Sequence, residues 1–83
     1  MQNINVYYYD HFCLLVVNSK GKIKKLYTPF RVLCIRDIDQ LPGFKKGLTF
    51  YVDEVWESLE DKLIYLIYRN KIPYSYFQLF IRF

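Results

Sequence analysis

The chain of 83 residues contains no alanine, and only three glycines, three prolines, one histidine, one methionine and two cysteines. Without alanine, the strongest helix former, a helical domain is disfavoured. Glycine and proline are too scarce for a collagen-like or low-complexity chain. A single histidine, His11, and no CxxC pair leave no ligand set of the zinc type, and no cofactor is implied. No apolar run approaches the roughly 20 residues that a membrane-spanning helix needs. Met1-Gln2-Asn3 lacks a basic start, and Asn5, Asp10 and His11 interrupt the apolar residues that follow, so no secretory signal is expected. Cys13 and Cys34 then read as reduced core thiols of a cytoplasmic protein.

What the chain has in abundance is aromatic surface: nine Tyr, seven Phe and one Trp. Aromatic and β-branched residues favour strands, so the expectation is a mainly β protein of one small domain, 1–83. The net charge is +4, unevenly spread. Asp53, Glu54, Glu57, Glu60 and Asp61 form an acidic block without a base, between basic stretches on either side. The folded molecule should carry a basic side and one acidic corner, a distribution suited to a charged partner.

Along the chain, Ile4 to Val17 reads as one long apolar-aromatic segment with a bend or bulge near Asp10-His11, its second half being the proper strand. Asn18-Ser19-Lys20-Gly21 fits a type I turn with Gly21 in the left-handed position. Lys22 to Tyr27 returns as a lysine-rich edge strand, completing an N-terminal hairpin over 1–28. Pro29 precedes a strand from Phe30. Asp37 to Lys46 is a loop of a length associated with recognition, with Phe44 exposed between basic neighbours. Gly47 to Val55 is a half-buried strand in which Phe50 and Val52 face one way and Thr49, Tyr51 and Asp53 the other; Trp56 continues the Phe50 face. Leu63 to Tyr68 is apolar on both faces, and Arg69-Asn70-Lys71 is a tight turn in which Asn70 takes positive φ. A short helical turn over Ile72 to Tyr76 leads to a last strand with Phe77, Leu79, Ile81 and Phe83 on one face.

The order of these parts, with Val32-Leu33-Cys34-Ile35, Gly47-x-x-Phe50-x-Val52 and Tyr74-Ser75-Tyr76-Phe77, resembles the small SH3-like β-barrel proteins of bacteria and their phages. The resemblance spans 30–83, within a barrel core over 29–83, with the N-terminal hairpin as an addition. It implies a domain that binds a bacterial protein and blocks it, as phage-type inhibitors of host or defence factors do.

The residues themselves suggest no catalyst. Asp10-His11 are adjacent on a strand and face opposite ways, so they cannot orient Cys13 or Ser19 as a nucleophile, and there is no GxGxxG or GxxxxGK. Two non-enzymatic readings follow. In the first, a protein partner docks on Trp56, Glu54, Glu57, Glu60, Asp61, Phe44 and Tyr51, the tryptophan serving as a rim anchor. In the second, Lys20, Lys22, Lys24, Lys25, Lys45 and Lys46 track the phosphates of a single-stranded or duplex nucleic acid while Tyr7, Tyr9, Tyr27 or Phe44 stack on bases. The apolar surface exceeds what one small domain can bury, which favours a homodimer.

Overall fold

The computed structural model describes residues 4–60 and 62–83, and it is mainly β. Among the described residues nine strands make three antiparallel sheets of three strands each: β1 (Ile4–Asp10), β2 (Cys13–Asn18) and β3 (Ile23–Tyr27); β5 (Thr49–Val52), β4 (Phe30–Cys34) and β9 (Phe77–Leu79); β6 (Glu54–Glu57), β7 (Leu63–Ile67) and β8 (Asn70–Pro73). Among the described residues the strand pairing does not close into a ring.

The N-terminal segment is not one bent strand. It folds back at His11-Phe12, so that Val6 pairs with Val16 and Tyr8 with Leu14, after which the register slips at Tyr9. Asp10 supports the reversal, because its carboxylate accepts the Phe12 N–H at 2.8 Å and fixes the exposed turn from within. The predicted hairpin is therefore a three-stranded meander. Its second turn is as expected: Gly21 has φ +80°, its N–H donates to the Asn18 carbonyl, and the Asn18 side chain accepts the Lys20 and Lys22 amides.

The rest of the chain is held together by one strand used twice. β5 pairs with β4, β6 pairs with β7, and between them Asp53 breaks the alternation while its N–H donates to the Leu66 carbonyl. Phe50, Val52 and Val55 are buried on the core side. The break moves Trp56 off the Phe50 face, against expectation: Val55 takes the inner position and Trp56 lies half-buried on the outer side with Glu54. β7 returns with both faces covered, and the β7–β8 turn has positive φ at Tyr68 and Arg69. Asn70, expected to hold that conformation, is instead paired with Ile67. A 3₁₀ turn over Tyr74–Tyr76 then feeds β9, which pairs with β4.

One core unites all three sheets, from Leu14 and Val16 through Phe30, Val32 and Phe50 to Tyr65, Ile67, Phe77 and Leu79. The long loop contributes to it. Phe44 is only 5% exposed, stacked on Phe50 with ring centroids 4.6 Å apart, and Ile38 is buried with it. The expectation of an exposed Phe44 fails because the loop folds over the domain: Ile38 N–H donates to the Phe44 carbonyl, and Phe44 N–H to the Leu41 carbonyl.

Candidate interaction surfaces

Trp56 was the predicted anchor, and its surroundings are already occupied. The His11 ring lies 4.3 Å from it, the Lys71 ammonium sits 4.5 Å from its ring centre, and its indole nitrogen is buried with no partner among the described residues. His11 holds this arrangement by closing the free edge of β6. Its carbonyl accepts the Val55 N–H at 2.7 Å, and its Nδ1 donates to the Val55 carbonyl at 3.0 Å. Both backbone groups of Val55 are thus satisfied by one residue of the N-terminal meander, which explains the lone histidine as a structural tie.

Around Trp56, Glu54 is half-buried while Glu57 and Glu60 are exposed; Glu60 makes only a solvated 3.8 Å pair with Lys62. Asp61 lies outside the described residues. Tyr51 is exposed, but on the outer face of the β5–β4–β9 sheet, and Phe44 is in the core. The six described residues of the protein-binding prediction therefore do not form one patch.

The lysines are also divided. Lys25 lies across the Tyr9 ring, 4.8 Å from its centre. Lys24 points the other way and donates to the Arg82 carbonyl at 2.6 Å. Lys20 and Lys22 belong to the turn before β3, and Lys45 and Lys46 to the long loop.

What the fold does assemble is the outer face of the N-terminal sheet. Register puts Asn5, Val17 and Ile23 in one row and Tyr7, Leu15 and Lys25 in the next; Tyr27 stands opposite Cys13, with Tyr9 alongside. Tyr7, Tyr9, Tyr27 and Ile23 are half or more exposed, and Leu15 and Val17 form a half-buried floor between them. Lys25 is the one base in these rows, and Asp10, registered opposite Cys13 beyond the bulge, adds a carboxylate at their end. The alternation of Ile23, Lys25 and Tyr27 is visible in the sequence; the turn at His11-Phe12 that aligns it with Tyr7 and Tyr9 is not.

Among the described residues no group of three or more His, Cys, Asp or Glu could hold a metal ion, and no helix is long and apolar enough to cross a membrane. Burial raises the Cys13 thiol above its usual range, assisted by the nearby Asp10 carboxylate, so the thiolate that a nucleophile requires is disfavoured. Comparison with protein-family models, curated proteins and solved structures finds no match to this chain.

Proposed function

We propose that this chain is a non-enzymatic protein-binding module that docks through the outer face of its N-terminal sheet. The observation that carries the reading is the uncovered surface formed by Tyr7, Tyr9, Leu15, Val17, Ile23 and Tyr27. Aromatic side chains around an aliphatic floor are the composition of an interface centre rather than of a solvated strand.

Lys25 stands in the middle row and Asp10 at the end of the face, so an apolar protein surface with a carboxylate opposite Lys25 fits it best. The order of the parts from β4 to β9, with a long first loop, a strand shared by two sheets and a 3₁₀ turn before the last strand, supports reading residues 29–83 as SH3-like. On that resemblance the partner is a bacterial protein, and binding blocks it.

The test is affinity capture from a bacterial extract, with and without nuclease, using the wild-type chain and an Ile23→Glu/Tyr27→Glu variant. Both positions are exposed on an edge strand, so the variant should fold normally. A stoichiometric protein that survives nuclease and is lost with the variant supports the reading. Equal capture by both chains overturns the assignment of this face. A wild-type chain that sediments as a dimer, with the variant a monomer, makes a second copy the occupant.

A further inference from the structure

A second surface, separate from the N-terminal face, points to a different ligand. On the outside of the β5–β4–β9 sheet, Arg31 stands opposite Tyr51, and the β4–β9 register carried one residue past Val32 and Leu79 brings Phe80 to its other side. The Arg31 guanidinium carbon lies 4.4 Å from the centre of the Phe80 ring. Three planar groups thus stand abreast, Tyr51, Arg31 and Phe80, with the outer two about 10 Å apart across β4. The next row is Thr49, Leu33 and Gln78, so neither row contains an acid.

Beside this row a cleft of about 330 Å³ is lined by Arg31, Gln78, Leu79, Phe80, Ile81 and Arg82. Lys24 reaches the same place, its ammonium bound to the Arg82 carbonyl. Two cations, Arg31 and Arg82, therefore line the cleft, and Lys24 adds a third beside it through the Arg82 carbonyl. Among the described residues none of them is paired with a carboxylate, the one ion pair being Lys62 with Glu60 far along the chain. Uncompensated charge of one sign around a concavity raises the local concentration of anions.

We infer that this face binds single-stranded nucleic acid, with backbone phosphates against Arg31, Arg82 and Lys24 and bases stacked on Phe80 and Tyr51. The rings decide between this and an acidic peptide. Phe80 is 43% exposed and Tyr51 58% exposed, flat groups on either side of a cation. Every base offers a π-face to such a ring, whereas carboxylates engage the guanidinium alone. The arrangement reads no base edge, so binding is independent of sequence.

The experiment measures fluorescence anisotropy of a labelled oligothymidylate of about twelve nucleotides, titrated between about 50 and 200 mM salt. Three phosphate contacts give a slope of log affinity on log salt near −2, at about −0.7 per contact for a single strand. Arg31→Gln and Arg82→Gln each weaken binding and each reduce the slope by about 0.7. Phe80→Ala weakens binding by about fivefold or more and leaves the slope unchanged. Lys45→Gln/Lys46→Gln, in the long loop, changes neither quantity. Thermal unfolding of each variant establishes that it is folded, and Arg82→Gln carries the slope test alone if Arg31→Gln is not. Absence of binding at the lowest salt overturns the inference, as does a slope that the arginine substitutions leave unchanged. Equal binding of a polyglutamate of matching length assigns the face to acidic peptides instead.

Discussion

Replacing Phe44 by alanine tests whether the long loop is a lid on the core or an independent flap. The ring is buried, stacked on Phe50 at 4.6 Å and edge-on to Tyr68 at 6.4 Å. Truncating a buried phenylalanine removes its transfer free energy and leaves a cavity, which together cost about 3–5 kcal/mol. The lower end applies here, because the segment around Phe44 is tied by the Ile38, Leu41 and Phe44 backbone bonds and by the Asp37 carboxylate at its end, and can settle into part of the space. A domain of this length has a total stability of roughly 4–12 kcal/mol. A loss of about 3 kcal/mol therefore moves the urea midpoint down by about 2–3 M, taking a slope near 1 kcal/mol per molar. Equilibrium urea unfolding followed by Trp56 fluorescence reads this directly. Tyr51→Ala, at an exposed position, is the control and should stay within about 0.5 kcal/mol. If Phe44→Ala behaved like the control, the ring would contribute nothing to the core and the loop would be a separate surface element after all.

The remaining predictions concern other parts of the fold. Arg69 holds φ +67° without being glycine; Arg69→Gly should relieve that strain by more than the added chain entropy costs, for a net gain of about 0.5 kcal/mol and a rise in Tm of about 2–4 °C. A fall in Tm would show that the turn is unstrained. His11→Ala removes the donor to the Val55 carbonyl, at a cost of about 1–2 kcal/mol, and should accelerate hydrogen exchange at the Val55 amide more than at Tyr65; equal protection in both chains would refute the tie. Burial raises the Tyr65 hydroxyl pKa well above its ordinary 10.0, with a smaller contribution from Tyr74. The proton is thus held more tightly in the folded state, and the resulting stability is complete below pH 10.0 and declines as pH rises further and the unfolded chain ionises. Tyr65→Phe should abolish much of that alkaline decline in a urea-midpoint series; a decline of the same size in the variant would place its origin elsewhere.

The strands were legible because their signals are local. The alternation through Thr49-Phe50-Tyr51-Val52, the glycine of the Asn18–Gly21 turn and the apolar face of Phe77 and Leu79 each need only neighbouring residues to be read. Three features needed the third dimension. The reversal at His11-Phe12 lacks Gly, Pro or Asn and is held by the Asp10 carboxylate and by long-range bonds to Thr28 and Val55, so the sequence marks a bend there but not a full turn. The break at Asp53 changes the parity of the strand, and with it the side on which Trp56 emerges. Phe44 sits among Gly43, Lys45 and Lys46, which mark a surface loop, and only its long-range contact with Phe50 draws it inward. The candidate surfaces failed in sequence for the same reason. Tyr7, Tyr9, Tyr27 and Lys25 were recognisable one at a time, but their common face depends on two turns in the correct register, and Arg31 meets Phe80 only through pairing between distant strands.

That distant pairing sets an order of events in folding. β1, β2 and β3 are joined by short turns and can form without waiting for the rest of the chain. β4 meets β9 only after everything from Ile35 to Tyr76 has been arranged between them, and the entropy of closing so long a loop must be met before any contact across it is gained. The meander is therefore the early structure and the β4–β9 seam the late one. Until that seam forms, one edge of β4 is open to pairing with any extended chain nearby. Refolding at high protein concentration should accordingly lose material to aggregation through that edge, and a peptide copying Phe77–Leu79 and its neighbours should compete for it during refolding while ignoring the finished protein.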